Sequence, residues 1–282
     1  MAARVEAERL AQAAESVRWW PSALALVVLG AVYALVSASL TLGPPWWLLV
    51  LTVVVVPGTF VLRSRGFMRA RRMVAFGTLA ATTPGLAIGV HLVLTYAQPL
   101  SNPARIRSLV REDGSFWRPS ELLAREIDRI EALMEYRAQF ARARELIGRE
   151  PTHVDTHHWV HDHPALSWAV CELALETGAA ARTHTPEQRD EYRAKGVRTP
   201  DHFTREFQHP GHIGLEDLLT LLAGLEDGVT ELMCHPGEPD PDLVATSAYA
   251  RERPLELAVL TDPRVRSAIE RDHITLTTFA AL

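Results

Sequence analysis

Hydrophobic and polar positions divide this chain into two parts. Residues 19–62 contain no charged side chain, whereas charges of both signs recur from Arg63 onward. Residues 21–42 form an apolar stretch of spanning length, and a shorter apolar run at 46–62 follows a Gly-Pro-Pro break. The pattern predicts a two-helix transmembrane hairpin with a basic exit at residues 1–75.

The arginines around the apolar runs predict the orientation of this hairpin. They lie at the outer ends of both runs, and the connecting turn carries no charge. Because positively charged residues stay on the cytoplasmic side, we expect a protein of the inner (cytoplasmic) membrane whose soluble part faces the cytoplasm. A secretory signal peptide and a pair of buried core helices are the competing interpretations. The arginines are Arg4, Arg9, Arg18, Arg63, Arg65, Arg69, Arg71 and Arg72.

From about residue 76 onward, strand-like and helix-like segments alternate, which is typical of a parallel sheet or a β/α barrel. We therefore predict an α/β domain at residues 76–282. The polar stretch at 179–214 interrupts the alternation and predicts a lid-like insertion. The strand-like segments lie at 85–95, 151–157, 229–234 and 273–279, and the helix-like segments lie at 120–148, 164–177, 214–225 and, as a pair, 254–271.

Composition narrows the class of protein. The 282 residues are 48% hydrophobic, which is enough for a sizeable core. The net charge of −5 is spread without a basic stripe, which argues against nucleic acid as a partner. Cys171 and Cys234 form neither a disulfide framework nor a paired zinc motif, and they suit a reducing compartment.

Histidines concentrate in one short stretch. Five of them occur within eleven residues, interleaved with Asp155 and Asp162. Because side chains alternate along a strand, His153, Asp155 and His157 should share one face. This density favours a metal site, and a solvated histidine-rich turn is the alternative. The five histidines are His153, His157, His158, His161 and His163.

Three histidines fall at the carboxyl ends of separate predicted strands, namely His91, His157 and His235. Neutral imidazoles from different strands can bind one ion, and a metal site with an open position can activate water for hydrolysis. His235, on its own strand end, is the candidate acid for protonating a leaving amine. Taken singly, a strand histidine such as His91 is more often a hydrogen-bonded core residue.

Five sequence motifs occur in order between residues 84 and 282. They are Pro84-Gly-Leu-Ala-Ile-Gly-Val-His-Leu-Val-Leu-Thr95, Asp113-Gly-Ser-Phe116, Pro151-Thr-His-Val-Asp-Thr-His-His158, Glu231-Leu-Met-Cys-His-Pro-Gly237 and the tail from Tyr249 to Phe279. In this order they resemble the YdjC-like carbohydrate deacetylases, a family that includes chitooligosaccharide deacetylase and has a β/α-barrel-like fold. Residues 1–75 more weakly resemble bacterial integral membrane proteins of unknown function.

The resemblance implies a chemistry and a set of site residues. It implies a hydrolase that removes N-acetyl groups from amino sugars or oligosaccharides with a divalent metal, Mg²⁺ or Zn²⁺. His91 and His157 match the positions of metal ligands in the family, and His235 matches the position of the general acid.

The chain departs from the family pattern in two places. The family begins with a strand ending in Ala-Asp-Asp-Phe-Gly, whose aspartates resemble a third metal ligand and the catalytic base, and this chain has no aspartate before Asp113. The family's run of three histidines is His157-His158-Trp159 here. We therefore expect a truncated β/α-barrel-like domain with reduced activity, and a membrane-anchored sugar- or metal-binding module without turnover is the alternative.

Two carboxylates near the histidines are candidates for the missing base. Asp155 is the tentative catalytic residue, although it could instead orient a ligand histidine. Glu231 lies on the same strand face as His235, and it could equally pair with a neighbouring cation. A missing first strand would also leave an open sheet edge, so a homo-oligomer is a possible assembly.

Overall fold

The structure is a computed structural model that describes residues 86–208 and 211–282. The predicted transmembrane hairpin at 1–75 lies outside these residues, so it stays a prediction. Within the described ranges, no helix is long and apolar enough to cross a membrane.

The described residues form an α/β fold with parallel strands, as the alternating pattern predicts. One sheet has the order β1-β2-β3, and a second sheet pairs β4 with β5. All three strand pairings are parallel, which requires a long crossover between consecutive strands. The strands are β1 (Val90–Leu92), β2 (His153–Thr156), β3 (Ala180–Ala181), β4 (His202–Thr204) and β5 (Thr230–Leu232).

Helices form the connections between strands, and three further helices follow β5. α2 connects β1 to β2, α3 connects β2 to β3, α4 connects β3 to β4, and α5 connects β4 to β5. The helices are α1 (Pro119–Leu123), α2 (Arg129–Ile147), α3 (Pro164–Thr177), α4 (Pro186–Ala194), α5 (Leu215–Ala223), α6 (Pro241–Thr246), α7 (Arg253–Leu260) and α8 (Pro263–Arg271).

Three predicted segments differ from the structure. The helix expected at 120–148 is two helices, because the Asp128 carboxylate caps the amino terminus of α2 and ends the preceding connection. The stretch at 179–214 contains β3, α4 and β4, so it is not one irregular loop. The strand expected at 273–279 was wrong, since residue 273 lies in a turn, residues 274–278 have no regular secondary structure, and a short 3-10 helix begins at Phe279.

The core lies between the first sheet and the helices α2 and α3, and it holds the strands that carry the histidines. Val90, Leu92 and Val154 point into this core, which leaves His91, His153 and Asp155 on the opposite face. Gly89 allows the His153 ring to lie against β1, since a Cβ atom there would approach the ring to 2.3 Å. The predicted sharing of one face by His153 and Asp155 is therefore confirmed.

Candidate active site at the carboxyl ends of the strands

The first sheet brings His91, Asp155 and His157 together. His91 lies directly opposite Asp155 in the β1–β2 pairing, and His157 follows the last residue of β2. His91 Nδ1 is 2.8 Å from Asp155 Oδ1, and His91 Nε2 is 3.2 Å from His157 Nδ1. These contacts place two imidazole nitrogens side by side, one of them on a ring that a carboxylate holds in place.

The two imidazoles fit a shared metal ion. Two nitrogens bound to one tetrahedral zinc at about 2.0–2.1 Å would lie roughly 3.3 Å apart, close to the observed separation. The Asp155 contact to the other His91 nitrogen is the support that metal-binding histidines commonly have. Within residues 86–208 and 211–282, however, no group of three or more His, Cys, Asp or Glu side chains could hold a metal.

Burial keeps the second imidazole uncharged. Burial, and then the charges of His158 and His91, lower the pKa of His157 to about 4. Burial likewise lowers the pKa of His158, whose Nδ1 lies 2.9 Å from the Thr95 hydroxyl. A neutral imidazole is the form that binds metal, so His157 needs no deprotonation at neutral pH.

Arg182 is a site residue that the sequence did not reveal. Its guanidinium lies 2.6 Å from Asp155 Oδ2, and its Nε donates to Glu231 Oε1 at 2.7 Å. The three side chains are only 10–13% exposed. Glu231 therefore pairs with a cation, as one of the two interpretations of its sequence position predicted. β3, which precedes Arg182, is too short to show a period that would have marked the position.

The Arg182 network determines the charge of both carboxylates. Burial raises the pKa of Asp155, but the hydrogen bond to His91 and the Arg182 charge outweigh it, so the net pKa is lowered. Burial dominates at Glu231, whose pKa is raised despite the Arg182 contact. Asp155 thus stays ionised, and both of its oxygens have partners.

His235 follows β5 at the corresponding end of the second sheet. Its backbone N–H donates to Glu256, a fully buried carboxylate that also accepts from the Tyr249 hydroxyl. The Tyr249 ring lies edge-on to the imidazole, with 5.5 Å between ring centroids. Burial, and then the Arg253 charge, lower the pKa of His235. Tyr249 and Glu256 were missed from sequence because Tyr249 precedes the predicted helix pair and Glu256 lies inside it, and neither position indicates a contact with His235.

His235 is close enough to the other histidines for their charges to interact. A charge on His235 lowers the pKa of His157, and a charge on His91 lowers the pKa of His235. His91 and His157 are in direct contact, whereas His235 is linked to them only through these charge effects, so the convergence of all three residues stays a prediction. A site with two adjacent imidazoles and a further histidine can bind a metal and exchange a proton.

Similarity to known proteins agrees with this geometry. The sequence profile of the family described as YdjC-like protein matches residues 68–271. A carbohydrate deacetylase of Thermoanaerobacter pseudethanolicus is 35% identical over 201 residues, which cover 71% of this chain and 79% of that protein. A chitooligosaccharide deacetylase of Serratia marcescens is 35% identical over 215 residues, covering 72% and 81%.

A solved structure shares the fold as well. A crystal structure from Enterococcus faecalis V583, of a protein provisionally ascribed to cellobiose-phosphate cleavage, superposes with a TM-score of 0.67 at 32% identity. The match covers 74% of this chain and 82% of that one. The profile match and these relatives together show that this chain belongs to the YdjC-like family.

Proposed function

We propose that this protein is a metal-dependent deacetylase that removes N-acetyl groups from amino sugars or their oligosaccharides. The observation that carries the proposal is the imidazole pair of His91 and His157, which Asp155 supports. Relatives named carbohydrate deacetylase and chitooligosaccharide deacetylase support the substrate class. A bound Zn²⁺ or Mg²⁺ would polarise the amide carbonyl and acidify a water molecule.

The chain's own residues have separate tasks in this reaction. His91 and His157 would hold the metal, and Asp155 would keep the His91 ring in the orientation that places Nε2 beside His157 Nδ1. His235 would give a ring proton to the departing amine nitrogen. Its lowered pKa makes the protonated ring a stronger acid than an ordinary imidazolium. Two imidazoles favour zinc over magnesium, since magnesium prefers oxygen ligands.

The contacts of Asp155 do not suit it to act as the catalytic base. Both oxygens of Asp155 are engaged, by His91 and by Arg182, so the geometry favours an orienting role over proton abstraction. Because a positioned base typically contributes a rate factor of about a hundred to ten thousand, we expect slow turnover. The alternative, a binding module without turnover, is favoured by the lack of a third metal ligand among the described residues.

Acetate release tests the proposed function. Full-length protein with added zinc should release acetate from short chitooligosaccharides, and His235→Ala should abolish the release. His273→Ala is a matched control, because His273 is an exposed histidine that follows α8. Slow release that His235→Ala leaves unchanged would contradict the assigned acid, and no release from the wild type would favour the binding module.

Calorimetry tests the metal assignment separately. Zinc should bind the full-length protein more tightly than magnesium does, and His157→Ala should remove zinc binding. His153→Ala is the control, because His153 lies on the same strand face but stacks on Phe279. Unchanged zinc affinity in His157→Ala would show that the ligand assignment is wrong.

A further inference from the structure

A cavity of about 460 Å³ is lined in part by the turn that follows His157 and has no part in the proposed reaction. Its volume is within the range of ligand pockets. The eight residues that line it come from the segments following β2, β3 and β4, together with the end of β4. They are Trp159, Asp162, His184, Thr185, Phe203, Thr204, Arg205 and Glu206.

The segments that line the cavity follow strands, as the candidate histidines do. Trp159 lies two residues after His157, in the turn that follows β2. Since the carboxyl ends of parallel strands meet at one edge, the residues after β3 and β4 also face that side. A ligand bound at His157 would therefore extend past Trp159 into this cavity.

The walls of the cavity combine aromatic rings with polar groups. The Trp159 ring is 5.7 Å from the Phe203 ring and 4.6 Å from the His184 ring, measured between centroids. Asp162, Thr185 and the other polar side chains lie beside this aromatic wall. Sugars have apolar C–H faces and polar hydroxyl rims, so aromatic and polar walls together match a pyranose ring.

Arg205 supplies hydrogen-bond donors at this wall. Its guanidinium lies over the Trp159 ring, 4.8 Å from the ring centroid. Arg205 is exposed and makes no ion pair within the part of the chain that the structure describes. A stacked guanidinium is held in a fixed orientation while its N–H groups remain available for ligand oxygens.

The backbone of this turn is strained. Trp159 has φ 60° and ψ 20°, and His158 before it has φ 58° and ψ 29°. Both lie in the left-handed region, which costs about 1–3 kcal/mol for residues other than glycine. Glycine would form this turn with less strain, so contacts of the Trp159 ring must offset the free-energy cost of the left-handed conformation.

We propose that this cavity is a sugar subsite, which holds the ring adjacent to the N-acetylated ring that reacts. The inference rests on the proposed function. A larger cavity of about 730 Å³ shares five lining residues with it, so the two form a continuous groove that could hold further rings. The shared residues are His184, Thr185, Phe203, Thr204 and Glu206.

Equilibrium binding tests the subsite without any need for turnover. Calorimetry on the full-length protein in mild detergent would compare N-acetylglucosamine with its dimer and trimer. We expect Trp159→Ala to weaken trimer binding about tenfold and to leave monomer binding unchanged. Arg205→Gln should weaken trimer binding severalfold, and this exposed substitution preserves the fold if Trp159→Ala does not.

Trp117→Ala is the matched control, because Trp117 also packs against a guanidinium, that of Arg125, but lies outside the cavity. It should leave the preference for longer sugars unchanged. Unchanged trimer affinity in folded Trp159→Ala and Arg205→Gln would overturn the subsite, as would equal weakening of monomer and trimer or no sugar binding at all. Length-dependent binding through Trp159 without acetate release would support the subsite while contradicting the deacetylase.

Discussion

Arg182 holds the candidate site together at the scale of single residues. It lies between Asp155 of the first sheet and Glu231 of the second, and all three side chains are nearly inaccessible to solvent. Removing one partner of a buried ion pair leaves the other charge without compensation, which costs more free energy than the intact pair contributes. The orientation of the His91 ring therefore depends, through Asp155, on a cation supplied by β3's end.

Replacing this cation should destabilise the fold strongly. We expect Arg182→Met to lower the free energy of unfolding by about 3–5 kcal/mol, because it removes the cation between the nearly inaccessible carboxylates of Asp155 and Glu231. Urea denaturation of the purified protein measures the change. Arg137→Met is the control, since the exposed Arg137–Glu176 pair should contribute at most about 1 kcal/mol. An equal loss of unfolding free energy in Arg182→Met and Arg137→Met would contradict the prediction that the buried ion pair matters more than the exposed one.

Burial of His153 predicts a pH dependence of stability. Burial lowers the pKa of His153 from 6.5 to about 4, and its ring stacks on Phe279 with centroids 4.0 Å apart. The unfolded chain therefore binds a proton at His153 more readily than the folded protein does. The stability that the neutral, buried His153 contributes is complete above about pH 6.5 and is lost as the pH falls towards 4.

His153→Phe should reduce that dependence, because phenylalanine preserves the aromatic stack but cannot bind a proton. The measurement is the urea midpoint between about pH 7 and about pH 5 for both proteins. His273→Phe, at an exposed position, should show the same change of the urea midpoint with pH as the wild type. If the urea midpoint of His153→Phe changes with pH as much as that of the wild type, His153 does not titrate in this range.

Strand alternation was sufficient to predict which residues of β2 share a face. Residues of equal parity point the same way, so His153 and Asp155 could be placed together, and the parallel pairing then brought His91 opposite Asp155. Arg182, Tyr249 and Glu256 could not be predicted in this way. Their roles depend on contacts between residues 7–49 positions apart in the chain, which local patterns do not encode.

At the scale of elements, boundaries with strong local signals were predicted best. α3 occupies the predicted residues 164–177, because Pro164 begins the helix and Gly178 ends it in the left-handed conformation. β3 has two residues, too few for a visible period, so the chain around it was interpreted as an insertion. The segment at 273–279 has strand-like composition but lacks a partner strand in the described structure.

Helix α7 contributes a prediction about the candidate acid. Glu256 on α7 accepts from the His235 N–H and the Tyr249 hydroxyl, so it is a positioning residue for the imidazole. Glu256→Gln offers fewer acceptor sites, and we expect kcat to fall about tenfold with little change in KM. Tyr249→Phe should have a smaller effect in the same direction.

Steady-state deacetylation kinetics of the full-length protein measure both values. Glu187→Gln, which changes an exposed glutamate of α4, is the control and should leave kcat unchanged. A rise in KM with constant kcat would show that Glu256 acts on substrate binding and not on His235. A loss of stability without any kinetic change would reduce Glu256 to a structural residue.

At the scale of the whole molecule, the arginines around the two apolar runs within residues 1–75 predict a membrane topology. Because arginines border both apolar runs on their outer ends, we expect the amino and carboxyl ends on the cytoplasmic side. A reporter fused after Leu282 should behave as cytoplasmic, and one inserted at Gly43 should behave as external. Release of the protein by carbonate or salt alone would contradict the predicted anchor.

The bond that the protein breaks is the most direct test of its proposed function. Relatives are named deacetylases, whereas cellobiose-phosphate cleavage is ascribed to the related solved structure. Hydrolysis of an amide bond and hydrolysis of a glycosidic bond give different products. Mass spectrometry of a fully N-acetylated chitotriose, incubated with the zinc-loaded full-length protein, distinguishes them. We expect loss of an acetyl group from a trimer of unchanged length, and no loss with His235→Ala. Appearance of shorter sugars that retain their acetyl groups would contradict the deacetylase.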